Sequence, residues 1–141
     1  MEMPKGFRSK EEELYTLRYL QQLYRAQYSN ISNEMNQLLG HIGELEAALK
    51  TADNYGIVNG RDTLMHIGAN VYVKATASKS DTILVGVGGG WMVEKNIADS
   101  KLYISRRIGK MTDIFNRLSK DKKDLERALI EVSQRLETFS R

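Results

Sequence analysis

Apolar residues recur at alternating steps of three and four along two long stretches of this chain, with charged and amide residues filling the gaps. The first stripe reads Leu14, Leu17, Gln21, Tyr24, Tyr28, Ile31, Met35, Leu38, Ile42, Leu45, Leu49 and Ala52, broken only by Gln21. The second reads Ile97, Lys101, Ile104, Ile108, Met111, Phe115, Leu118, Lys122, Leu125, Leu129, Val132, Leu136 and Phe139, broken by Lys101 and Lys122. A mean spacing of about 3.5 residues keeps one seam facing a partner helix over many turns, which predicts coiled coil. In an antiparallel pair, position numbers at one level add to a constant. Setting Leu14 opposite Phe139 also sets Tyr28 opposite Leu125 and Ala52 opposite Lys101, so both stripes stay in phase. The chain is therefore expected to double back and zip its own two arms, each roughly 60 Å long at 1.5 Å per residue.

Between the arms the period drops to two. Val71, Val73, Ala75 and Ala77 alternate with Tyr72, Lys74 and Thr76; Ile83, Val85 and Val87 alternate with Leu84 and Gly86; Trp91 and Val93 flank Met92. Breaks at Gly68-Ala69-Asn70, Ser78-Lys79-Ser80-Asp81 and Gly88-Gly89-Gly90 divide this region into four strands and two hairpins. A lone hairpin is marginal in water, and open apolar edges template aggregation. Val71, Val73, Ile83, Val85, Val87, Trp91 and Val93 are thus expected to be completed by other chains, in an obligate oligomer.

The expected division is a tail at 1–9, a first helix at 10–55, a linker and two-hairpin head at 56–95, and a second helix at 96–141. Ser9, three residues before Glu12, is a capping signal, as is Asn96 before the second arm. Asp53, Asn54 and Gly56 are read as the end of the first helix, followed by turn residues Asn59 and Gly60. The fold class is α+β, mainly α: a long antiparallel two-helix coiled coil joined by two β-hairpins. Gly40, Gly43 and Gly109 fall inside the arms at nearly one height. They predict either a compliant neck or a close approach by a neighbouring backbone.

Composition narrows the function. The 141 residues contain no cysteine, which excludes a disulfide framework and thiolate metal sites, and the one proline, at position 4, precedes both helices. No apolar run reaches the length of a membrane span and no signal-peptide core opens the chain, so a cytoplasmic protein with no membrane partner is expected. The net charge of +3 is dispersed over interleaved acids and bases. Without a basic stripe, no nucleic-acid partner is expected, and an RNA-binding arm is disfavoured. Gly88-Gly89-Gly90 lies between strands without the lysine or helix start of a phosphate loop. His41 and His66 share no ligand spacing. No catalytic constellation, metal or cofactor is expected, and the chain reads as a non-enzyme.

The arm, two hairpins and returning arm resemble prefoldin, over about residues 10–140. The most specific stretch is Ile83-Leu84-Val85-Gly86-Val87-Gly88-Gly89-Gly90-Trp91-Met92-Val93-Glu94-Lys95, similar to the family's apolar strand, glycine turn and V-E-K run into the second helix. Leu64-Met65-His66-Ile67-Gly68 resembles a family segment in which proline is usual where His66 stands. Two hairpins mark the α class, and the absence of cysteine and the short tails suit an archaeal form. The resemblance implies an ATP-independent holdase. Two such chains and four β-type subunits would form a hexamer around an intersubunit β-barrel, capturing unfolded proteins at the arm tips for a group II chaperonin.

Residues near those tips agree with this, because Tyr15, Tyr19, Leu20 and Leu23 add to Leu14, Leu17 and Tyr24, and Ile130 adds to Leu129, Val132, Leu136 and Phe139. That is more apolar surface than two helices hide from each other, and exposed apolar surface suits an indiscriminate binder of unfolded chains. The expected client-contact set is Leu14, Tyr15, Leu17, Tyr19, Leu20, Leu23, Tyr24, Ile130, Leu136 and Phe139. Leu39 and Ile114, also off the stripe, are expected to pack at the arm root. A second reading is a structural subunit that polymerises into filaments through its β head.

Overall fold

Ser9 starts the first helix: its Oγ accepts the Glu12 amide proton at 3.1 Å, satisfying one of the free donors at a helix start. Glu11, Glu12 and Glu13 then lie in the first turn, where the helix dipole favours negative charge. The computed structural model describes residues 9–139. Helix α1 runs from Lys10 to Val58 without interruption. Strands β1 (Asp62–Gly68), β2 (Val71–Thr76), β3 (Thr82–Gly88) and β4 (Trp91–Asn96) follow, and helix α2 (Ile97–Phe139) ends the described chain.

α1 passes through Asp53, Asn54 and Gly56, the residues expected to end it. Ala52 is buried there, and the Tyr55 hydroxyl donates to the Ser78 carbonyl at 2.9 Å, so tertiary contacts outweigh the weak propensity of asparagine and glycine. The stop is at Asn59 and Gly60. The Asn59 amide still bonds back to Tyr55, and Gly60, with φ of 76°, gives its own amide proton to Ala77 instead. At the other end of the sheets Asn96 caps α2. Its Oδ1 accepts from the Asp99 amide at 2.7 Å, while its Nδ2 donates to the Asp99 carboxylate at 3.0 Å.

The strands form two separate two-stranded antiparallel sheets, β1 with β2 and β3 with β4. In each, a two-residue turn has positive φ at both central positions, 45° and 62° at Ala69 and Asn70 and 60° and 80° at Gly89 and Gly90. This turn hand matches the twist of the strands it joins. Both hairpins also slip by one residue just before the turn, at Ile67 and at Val87. The two hairpins are therefore built to one plan, twenty positions apart.

The chain resolves into two compact units, one holding the helix segments 9–41 and 111–139, the other residues 42–110. In the first, the terminal unit, Leu17, Tyr24, Leu125 and Val132 form the buried core of the helix seam, with Leu20, Tyr28, Ile31, Ala128, Leu129, Leu136 and Phe139 packed around it. Gln21 donates to Ser133 Oγ at 3.3 Å, and the Tyr28 hydroxyl to Glu126 at 3.1 Å. Position numbers in these two pairs add to the same value, one above that expected from Leu14 and Phe139. In the central unit the ion pair of Asp53 with Lys101 obeys the same sum. Each unit therefore has the antiparallel register foreseen from the stripes. Ala52, Ser100 and Ile104 are buried in the central unit, where the Ser100 hydroxyl is absorbed by the Asn96 carbonyl at 2.8 Å.

Candidate functional site

Among the described residues, each unit leaves an apolar surface uncovered. In the terminal unit, Tyr15, Tyr19 and Leu23 recur every fourth residue of α1 and so share one helix face. That face is turned away from the seam: Tyr15 is 75% and Tyr19 57% exposed, whereas the seam residues Leu17 and Tyr24 are only 1% and 5% exposed. On α2, Ile130 is 58% exposed. Beside it is a shallow groove lined by Leu129, Ile130 and Ser133, with Arg25 and Glu137 bringing charge of both signs to its margin.

The ten residues expected at this site thus separate into three groups. Tyr15, Tyr19, Leu23 and Ile130 are exposed. Leu14, Leu20, Leu136 and Phe139 are half-buried along the seam margin. Leu17 and Tyr24 are seam core, and with the helices paired they present no surface. The seam claims them because they occupy the a/d positions that face the partner helix. Leu39 is also exposed, not packed as expected, while Ile114 is half-buried.

In the central unit the uncovered surface is the pair of hairpins. Successive cross-strand pairs alternate between sheet faces. Met65 pairs with Val73 on one face of β1 and β2, and His66 pairs with Tyr72, beside Leu64, on the other. Met65, Val73, Leu64 and Tyr72 are all exposed, so this hairpin is apolar and uncovered on both faces. The His66 and Tyr72 rings meet at 5.1 Å between centroids. The second hairpin differs. Ile83 and Val85 are half-buried and line a groove with Ala48, Ala52, Tyr55 and Ile104; Leu84 borders the same groove but is largely exposed, as is Met92. Val71, Val87 and Val93 are exposed, and Trp91, at the turn, is 75% exposed.

The sequence marks Asn59 only as a turn residue, whereas its side chain binds the connector between the hairpins. Its Nδ2 donates to the Ser80 carbonyl at 2.8 Å and its Oδ1 accepts the Ser80 amide proton at 2.9 Å. It thereby ties the connector between the hairpins to the end of α1. The available signal was an asparagine directly before a helix-ending glycine, which also reads as an ordinary turn residue. The two lysines interrupting the second stripe find partners. Lys101 pairs with Asp53, and the Lys122 ammonium lies 5.1 Å from the centre of the Tyr28 ring.

Among the described residues, no group of three or more His, Cys, Asp or Glu is placed to hold a metal ion, and no helix is long and apolar enough to cross a membrane. What the arrangement offers is apolar surface on a rigid helix pair and unsatisfied strand edges on two hairpins.

Long paired helices enclosing two such hairpins define the class: residues 24–140 match the prefoldin subunit family model, and the chain belongs to the prefoldin family. Within it, the chain is an α-type, chaperone-class subunit. It is 25% identical over 130 residues to prefoldin subunit alpha of Methanocorpusculum labreanum, covering 92% of this chain and 88% of that protein. It is likewise 25% identical over 133 residues to prefoldin subunit alpha of Nitrosopumilus maritimus, covering 92% of each. Among solved structures, a filamentous prefoldin of Methanocaldococcus jannaschii shares the fold, with a TM-score of 0.60 and 24% identity, over 86% of this chain and 95% of that one. Prefoldin subunits assemble into oligomers with one another.

Proposed function

We propose that this chain is the α-type subunit of an ATP-independent holdase, which captures unfolded proteins on the exposed stripe of Tyr15, Tyr19 and Leu23 together with Ile130. The observation that carries this reading is the placement of three large apolar side chains on the helix face opposite the seam. The seam gives no reason for them to be apolar. Water-exposed tyrosine and leucine on a rigid helix give non-directional contact, which suits partners without a common sequence. The half-buried Leu14, Leu20, Leu136 and Phe139 extend the same surface along the seam margin.

The hairpins supply assembly. Val71, Val73, Val87, Trp91 and Val93, with Ile83 and Val85, pair and pack with β-type subunits in an α2β4 hexamer, which covers the faces and edges left open in the single chain. Captured clients pass from there to a group II chaperonin. The work takes place in the cytoplasm without cofactor or catalysis.

The test is suppression of aggregation of a denatured model protein by the reconstituted hexamer. Tyr15→Ser, Tyr19→Ser, Leu23→Ser and Ile130→Ser combined should abolish suppression and leave the hexamer intact. Full suppression by this variant would overturn the reading.

A second reading has its own observation. Both hairpins have an unpaired outer edge on every strand, so edge pairing that fails to close would propagate. In this reading the chain polymerises into filaments through its β head. Electron microscopy of the chain alone and with a β-type subunit separates a fibre from a closed hexamer.

A further inference from the structure

We propose that Lys95 and Arg107, gathered on the ring of Tyr103, form a cationic clamp. It takes a carboxylate from a strand of a β-type subunit as that strand enters the groove beside β3. The clamp rests on the assembly proposed for the hairpins and sets the chemistry that the head requires of its partner. The groove has a volume of about 720 Å³ and is bordered on one side by Thr82, Ile83, Leu84, Val85 and Gly86. Successive side chains of a strand point to opposite faces, so a groove that touches five consecutive residues follows the strand's edge. β3 has β4 on one edge, which leaves the other free for the groove to follow. Opposite, the α1 wall is built of the small residues Ala48, Thr51 and Ala52. The gap suits one further strand, about 16 Å of it over five residues.

Charge at this groove has one sign. Arg107 belongs to its lining. Lys95 is the cross-strand partner of Ile83, and so shares the sheet face of Ile83 and Val85. The Lys95 ammonium lies 5.4 Å, and the Arg107 guanidinium 6.0 Å, from the centre of the Tyr103 ring. Two like charges on one ring repel each other, and among the described residues neither is paired with a carboxylate. Glu94 and Asp99, the acids nearest Lys95 in sequence, are held elsewhere. Glu94 accepts from the Thr82 hydroxyl at 2.6 Å, and Asp99 is bound into the cap of α2 by Asn96. A carboxylate arriving between the two cations relieves their repulsion and gains charge-assisted hydrogen bonds. Apolar side chains of the same segment would cover Ile83, Val85 and Ile104. The partner segment is therefore an extended strand with alternate apolar side chains and an acidic residue at the level of Lys95. A lysine at that place would be rejected by the same pair of charges.

Carbodiimide joins a lysine amine to a carboxylate only where the two are in contact, so Lys95 reports its own partner. The full-length chain, assembled with its β-type subunit, is coupled, digested and read by mass spectrometry. The expected product links Lys95 to an aspartate or glutamate within an apolar strand of the β-type subunit. Lys95→Gln with Arg107→Gln should weaken assembly by about thirtyfold at unchanged helix content. Raised salt should weaken assembly of the unaltered chain more than that of this variant. Lys50→Gln with Arg106→Gln removes two exposed charges from the same unit and should leave assembly as it is. Undiminished assembly of the Lys95→Gln, Arg107→Gln variant would overturn the clamp. So would coupling of Lys95 to its own chain, to a second copy, or to nothing. If Trp91→Ser with Val73→Ser also assembles normally, assembly through the hairpins falls and the clamp with it. If that variant disperses while the glutamine pair assembles fully, the clamp alone falls.

Discussion

Asn59 grips Ser80 with both hydrogen-bonding groups of its side-chain amide, donating to the carbonyl at 2.8 Å and accepting from the amide at 2.9 Å. The pair does locally what a neighbouring strand would do. It satisfies the backbone of the connector between the hairpins and holds that connector against the end of α1. Asn59→Ala leaves both Ser80 groups partly buried without these partners. A loss of about 1–3 kcal/mol is expected, read as a lowered denaturant midpoint of the assembled protein. Asn59→Asp keeps the acceptor but loses the donor, and should recover part of that loss.

The first hairpin turn is built from Ala69 at φ 45° and Asn70 at φ 62°, where the second uses Gly89 and Gly90. An L-residue such as alanine is strained in this left-handed region, by about 1–2 kcal/mol. Ala69→Gly is expected to raise the thermal midpoint by a few degrees, equivalent to about 1 kcal/mol after the entropy of the unfolded glycine is counted. Calorimetry of the two forms checks it.

In the seam, Leu125 and Val132 are the best-buried apolar residues contributed by α2, each 1% exposed, and they belong to one buried cluster with Leu17 and Tyr24. Leu125→Ala should destabilise the helix pair by about 2–5 kcal/mol, measured by loss of helical circular dichroism on heating. Gln21→Leu combined with Ser133→Ala should do the reverse, because it replaces a long 3.3 Å polar contact in the seam with apolar packing. A melt unchanged by either alteration would contradict the assignment of these residues to the seam.

Trp91 is 75% exposed although it is the largest apolar side chain of the hairpins. Trp91→Ser with Val73→Ser is expected to leave helix content unchanged and to shift sedimentation from the assembled oligomer towards free subunits. An unaltered sedimentation profile would mean that assembly uses other surfaces.

The stripes made the helices and their register legible, since a/d spacing encodes both which face is shared and how far the partner is displaced. The caps at Ser9 and Asn96 were legible for the same local reason: a polar side chain must satisfy the first free amides. The end of α1 was not. Gly56 looks like a stop, but the contacts of Ala52 and Tyr55 carry the helix beyond it to Asn59 and Gly60. The candidate surface was half legible. An excess of apolar residues could be counted along α1, yet only the paired helices show that Leu17 and Tyr24 belong to the seam while Tyr15 and Tyr19 do not. Leu39 shows the same limit, because an off-stripe leucine reads alike whether it packs or faces water.

The central claim is that clients meet the outward face of α1 and not the hairpins. Photo-crosslinking tests it most directly, with a photoreactive phenylalanine at position 19 or at position 91 of the assembled oligomer and a denatured, labelled client. The account predicts client adducts from position 19 and subunit adducts from position 91. Client adducts from position 91, with none from position 19, would contradict it.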